Sequence, residues 1–145
     1  MKARGLEERL RDTWRKLETD VDLWVATSGT PGGAHLVPLS FHWDGTTFLV
    51  STPRASVTSR NLLADPRVRL SLGPTRDVVI VDGVAEPVDI DAKTGDEFAA
   101  RTGFDPRALE TPYQYFRIRP RRVQAWREEN ELQGRTLMRD GHWLG

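Results

Sequence analysis

HLVPLSFHWDGTTFLVSTPRASVTSRNLLADPRVRLSL, residues 35–72, is the stretch whose pattern decides the fold. Val37, Leu39, Phe41 and Trp43 alternate with Pro38, Ser40 and His42, the period of a half-buried strand. Asp44-Gly45 is a hairpin signal, because a type I′ turn needs residues that tolerate positive φ. Thr47 to Thr52 returns as a β-rich run ending in two hydroxyls, Ser51 and Thr52. Ser56 is placed to cap a helix over Val57–Ala64, which Asp65-Pro66 closes. Val68, Leu70 and Leu72 then restart the period of two.

Hydroxyls at a strand end, Arg54, Arg60 and a helix N-terminus lie within about ten residues of one another. Free backbone N–H groups and the positive end of the helix dipole suit such a place to an anion such as phosphate. Taken bare, the same residues equally describe an ordinary strand-to-helix loop with two solvated arginines.

Upstream, Leu6, Leu10, Trp14, Leu17 and Val21 form one apolar stripe, which predicts an N-terminal helix within residues 1–20 with Trp14 in the core. Leu23 to Thr27 reads as a short strand, and Ser28-Gly29-Thr30-Pro31-Gly32-Gly33 as a flexible loop. Downstream, Asp77 to Glu86 reads as a long strand bulged or bent at Gly83, and its β-branched run Val78 to Val81 predicts burial on both faces. Asp91 to Arg101 reads as a helix with Gly103 as C-cap, followed by loop to Pro112. Tyr113 to Trp126 is an aromatic-rich strand in which Pro120 forces an edge or an irregularity. Residues 127–145 are polar, yet Leu132, Leu137, Met138, Trp143 and Leu144 predict a packed extension, a hairpin turning at Asp140-Gly141, over a ligand or a partner subunit. Strands that neighbour each other through hairpins, with helices inserted, favour an antiparallel barrel.

The 145 residues suit one domain with a single core. Twenty-one basic residues balance twenty-one acidic ones, so no global field selects nucleic acid or an anionic membrane. No apolar run reaches the roughly 18–20 residues of a membrane span. The charged N-terminus is unlike a secretory signal, and a cytoplasmic protein is expected. The absence of cysteine excludes disulfides, thiolate metal sites and cysteine catalysis. His35, His42 and His142 lack zinc-site spacing, and His42 falls on the polar face of its strand. The basic run Arg117, Arg119, Arg121 and Arg122 is read as a solvated strand edge. No nucleophile elbow, P-loop or dinucleotide fingerprint is present, so a bound cofactor would have to carry any reaction. Five tryptophans are many for this length, and some are expected at a ligand site or subunit contact.

In their order and spacing, VPLSFHWDG, TFLVST, S-x-x-x-R-N-L-x-x-D-P-R-V-x-L and VDGVAEPV resemble the flavin-binding split β-barrel family. That family includes pyridoxamine 5′-phosphate oxidase and the deazaflavin-dependent reductases. The similarity runs from about Leu23 to Trp126. It implies a mainly β chain with flanking helices, a split barrel of six or so antiparallel strands, and a homodimer with a flavin in the groove between subunits. By position, Leu36, Val37, Pro38, Leu39, Ser40 and Phe41 would line the isoalloxazine ring, largely through backbone groups. Ser51 and Thr52 would meet the ribityl phosphate, with Arg54, Ser56, Thr58, Arg60 and Asn61 beside them. The family usually carries Lys or Arg where this sequence has Val57 and Thr58, leaving Arg54 and Arg60 as the nearby cations. P-x-x-V-x-A-W followed by E-L-x-G-R is similar to the oxidase's end, which implies that Trp126 and Arg135 contact FMN. The residues that recognise the oxidase's own vitamin substrate are not evident, so another small organic substrate is expected. The resemblance thus implies an FMN-dependent oxidoreductase, with the deazaflavin coenzyme F-420 or a non-catalytic flavin- or tetrapyrrole-binding module as alternatives.

Overall fold

The computed structural model describes residues 1–29 and 31–145; Thr30, inside the predicted 28–33 loop, lies outside them. An N-terminal helix, α1 (Leu6–Thr19), leads into β1 (Asp22–Thr27), β2 (His35–Trp43) and β3 (Phe48–Pro53). Then come α2 (Val57–Ala64), β4 (Arg67–Leu72), β5 (Val78–Val88), α3 (Ala92–Thr102) and β6 (Tyr113–Trp126). The tail adds β7 (Thr136–Arg139) and β8 (His142–Trp143). The neighbour order is β3-β2-β1-β4-β5-β6, every pairing is antiparallel, and β6 returns to β3. The result is a closed six-stranded barrel with three helices, a split-barrel fold, and β7 and β8 extend it from the far end of β6.

Alternation sorts the side chains as a half-buried barrel wall requires. Val25, Phe41, Val50, Leu70, Val81, Phe116 and Ile118 point inward and are fully buried. At about 1.5–3 kcal/mol for each such side chain, this interior is the main support of the barrel. The β-branched run of β5 behaves as expected in part: Val78, Val79 and Val81 are buried, whereas Ile80 is half-covered on the outside. α2 is capped as expected, with the Ser56 hydroxyl accepting from Ser59 N, and α3 ends at Gly103 with φ 72°.

The β2–β3 connection differs from the predicted two-residue I′ turn. Trp43 pairs with Phe48, leaving a four-residue loop, and only Gly45 takes positive φ. Asp44 instead folds the loop around its carboxylate, which accepts from Thr46 N, Thr47 N and the Thr47 hydroxyl. Burial would raise that carboxyl; these bonds outweigh it and hold the group below the usual carboxylate range. Two consecutive positive φ values occur instead at Asp140 and Gly141, joining β7 to β8, where the sequence also predicts a hairpin.

The predicted stripe of α1 is rotated. Leu6 is exposed, and the buried face is Arg9, Thr13 and Leu17, with Leu10 and Trp14 packed beside them. The cause is Arg9, whose guanidinium donates to the carbonyls of Ala125, Glu131, Gly134 and Arg4. Val21 falls beyond the helix, which Asp20 closes by donating its N–H to the Lys16 carbonyl. Trp14 meets Trp43 and Trp143 at ring separations of 5.5 and 5.3 Å, tying helix, barrel and tail together. Pro120 is buried rather than exposed at an edge. It lies between the part of β6 that pairs with β3 (to Ile118) and the part that pairs with β7 (from Val123), beside the β5 register shift at Asp82/Gly83. No described helix is long and apolar enough to cross a membrane.

Candidate cofactor site

β2 pairs with β1 along residues 35–40, but with β3 only at Phe41, His42 and Trp43. Beyond those rungs β3 stays with β6 as far as Pro53, so the two strands diverge and the wall opens. Residues 35–40 therefore have no ladder partner on the β3 side, and their backbone edge faces the opening. Their side chains alternate across it: Leu36 and Pro38 are exposed on the outer surface, Val37 and Leu39 are packed against the interior, and Ser40 donates to Asp22. Phe41 is 0% exposed, sealed between Phe48 and the Arg101 guanidinium, so any contact it makes with a ligand is through its backbone.

α2 begins just after β3 at the same opening and packs against β5, β1, β2 and β3. Its buried Leu62 joins the interior, and Asn61 Nδ2 donates to Thr27 Oγ1 at 3.0 Å. At its N-terminus the predicted hydroxyls converge: Thr52 Oγ1 lies 3.0 Å from Ser56 Oγ, and Ser51 Oγ donates to the Gln114 carbonyl at 3.4 Å. Thr58 is buried in the first turn, and Ser59 Oγ and Asn61 Oδ1 are buried without a partner among the described residues. The two cations stand outside this cluster. Arg54 is exposed, and Arg60 turns back to donate to the Ala55 carbonyl at 2.8 Å. Neither forms an ion pair among the described residues. The donor set fits a phosphate held by hydroxyls and the helix N-terminus, with Arg54 and Arg60 as the cations nearest to it.

Trp126 and Arg135 come together elsewhere. The Arg135 guanidinium lies 5.9 Å from the Trp126 ring centre, and Arg135 Nη1 donates to the Leu132 carbonyl. Ser51 pairs with Tyr115, eleven residues from Trp126 along β6. That is up to roughly 36 Å of strand, so one chain does not bring the two halves of the predicted set together.

Sequence reasoning missed the supports. Arg101 donates to the carbonyls of Leu17 and Asp20, capping α1 from α3. Leu49, Phe98 and Tyr115 form a second cluster outside the barrel under α3. Burial there raises the Tyr115 phenol, and at half-buried His42 burial, then Arg101, lowers the imidazole. Arg4 and Glu131 form a buried ion pair at 2.7 Å that joins the two termini. These residues sit in ordinary charged stretches, and only their tertiary partners distinguish them.

A family model described as pyridoxamine 5′-phosphate oxidase matches residues 8–127. No curated protein matches significantly. Among solved structures, an F420 reductase is 22% identical, with 75% of this chain and 93% of that chain covered at TM-score 0.62. An FAD-binding protein from Mesorhizobium loti is 20% identical, with 79% and 89% covered at TM-score 0.63. The heme storage protein HutZ from Vibrio cholerae is 19% identical, with 84% and 95% covered at TM-score 0.62. At these identities the likeness is one of fold.

Proposed function

Because this chain belongs to the pyridoxamine 5′-phosphate oxidase family, matched over 8–127, we propose that it binds FMN at the opening between β2 and β3 and serves redox chemistry on a small organic substrate. The observation that carries the reading is the divergence of β2 from β3, which leaves a free backbone edge beside a hydroxyl-lined helix N-terminus. Bound flavin supplies the hydride and electron transfer. The chain's part is to bind and orient. The 36–41 edge lies along the ring, the hydroxyls of Ser51, Thr52 and Ser56 and the α2 N-terminus line the phosphate end, and Arg54 and Arg60 neutralise it from outside.

The reading also calls for a second copy of the chain. Trp126 and Arg135 reach the same flavin only if another subunit supplies them, because they lie at the opposite end of β6 from Ser51. The outer face offers a contact: Trp24 is paired with Pro38 and Ala26 with Leu36, and Trp24 and Leu36 are 49% and 59% exposed. Such adjoining exposed apolar groups are the kind of patch that subunit association covers.

A second reading keeps the groove and places the deazaflavin coenzyme F-420 there. The F420 reductase fold supports it, whereas the coenzyme's longer charged tail asks for more cations than Arg54 and Arg60 provide. Thr52→Glu tests the assignment, because it sets an anion against the phosphate. FMN affinity is expected to fall about tenfold or more while riboflavin affinity changes little, the mark of one lost charge-assisted contact plus repulsion. Equal loss for both flavins, or no loss for FMN, would place the phosphate elsewhere.

A further inference from the structure

At the end of β3 remote from Thr52 the surface forms a concavity of about 690 Å³. Its lining comes from five parts of the chain: Trp14 of α1, the 45–47 turn, Val84 of β5, Arg119 to Arg121 of β6, and the tail hairpin. It lies roughly 17 Å from the hydroxyl cluster, the length of a six-residue strand. The volume falls in the ordinary range for small-molecule sites, about 300–1,000 Å³.

Three features define what it would take. The lining includes Trp14 and Trp143, half-buried rings 5.3 Å apart and inclined at 42°, so neither is stacked flat against the other. Among the described residues, the ionic side chains of the lining are Arg119 and Arg121. Arg119 has a loose exposed partner in Glu86 at 3.3 Å. The Arg121 guanidinium makes no hydrogen bond or ion pair among the described residues. It lies against the tail turn, where a Cβ on Gly141 would come within 3.1 Å of its Nη1. Aromatic rings and an uncommitted guanidinium in one lining suit a flat ring bearing an acid group, through stacking and a charge-assisted hydrogen bond.

We propose that this concavity is a ligand site, separate from the flavin groove, for a small aromatic carboxylate. Stacking on the tryptophans holds the ring, and Arg121 selects the anion over a neutral analogue. The inference does not rest on flavin binding, since no residue of the concavity belongs to the groove.

The test uses 2-naphthoate as probe and naphthalene-2-carboxamide as its neutral counterpart, titrated calorimetrically against the full chain with and without saturating FMN. Naphthoate is expected to bind one per chain, with the amide about tenfold weaker, the scale of one charge-assisted hydrogen bond. Arg121→Gln, at an exposed position, is expected to erase that preference while leaving the melting temperature unchanged. Trp143→Leu is expected to weaken both probes alike. Saturable naphthoate binding unaffected by FMN, with its charge preference lost in Arg121→Gln, supports the proposal. Absence of saturable binding, displacement by FMN, or a preference that survives Arg121→Gln overturns it.

Discussion

Replacing Glu131 perturbs the joint between the two ends of the chain. Its carboxylate accepts from Arg4 Nη2, Nε and backbone N at 2.7, 2.9 and 2.8 Å, and from Arg127 N at 2.8 Å. The residue is 1% exposed. The Arg4 guanidinium, against a burial penalty, lowers its carboxyl from 4.5 to about 2. A shift of that size corresponds to roughly 3 kcal/mol at about 1.4 kcal/mol per unit. Glu131→Gln keeps the shape and one acceptor but leaves Arg4, 5% exposed, with Asp12 at 3.1 Å as its nearest counter-charge. Destabilisation of about 2–4 kcal/mol is expected at neutral pH, and about 3–5 kcal/mol for Glu131→Ala. Urea unfolding followed by tryptophan fluorescence reads it. Because the folded carboxyl is depressed, its contribution is complete above pH 4.5 and is lost as the pH falls toward 2. The gap between wild type and Glu131→Gln should therefore narrow over that window. A variant within about 0.5 kcal/mol of wild type at pH 7, the scatter of ordinary surface changes, would refute the reasoning. So would a gap that ignores pH.

Gly83 sits where an added Cβ would meet the Arg119 carbonyl at 2.8 Å and Ile118 Cγ2 at 2.9 Å. Gly83→Val should cost about 1–3 kcal/mol in the same urea assay, and an unchanged midpoint would mean the bulge relaxes freely. Arg9→Met keeps the apolar stem but removes four carbonyl contacts, two of them to the tail at Glu131 and Gly134, and should loosen amide exchange protection at Ala125, which donates to the Arg135 carbonyl, before the barrel opens. Light scattering at micromolar concentration is expected to give the mass of a dimer, and Trp24→Glu with Leu36→Glu that of a monomer. A monomeric wild type would remove the second subunit from the account.

Local signals made much of the fold readable. Ser56 and Gly103 marked helix ends through backbone chemistry that acts within four residues, and Gly83 marked its bulge because only glycine fits there. Asp44-Gly45 misled because the Asp44 carboxylate can organise a longer loop from its own side chain, whereas Asp140-Gly141 follows the dipeptide rule. The rotated face of α1 was not readable: Arg9 looks like any surface arginine until a loop more than a hundred residues away supplies its acceptors. The candidate site divides in the same way. The hydroxyls of Ser51, Thr52 and Ser56 are near in sequence and meet in space, while Trp126 and Arg135 pair with each other at the far end of β6.

The central claim is that this barrel holds FMN at the β2–β3 opening. Titration of the purified chain with FMN and, separately, with the deazaflavin coenzyme, followed by flavin absorption and fluorescence, tests it most directly. The account predicts saturation at one FMN per chain, with the deazaflavin weaker. Selective binding of the deazaflavin would contradict the cofactor assignment, and binding of neither would contradict the site itself.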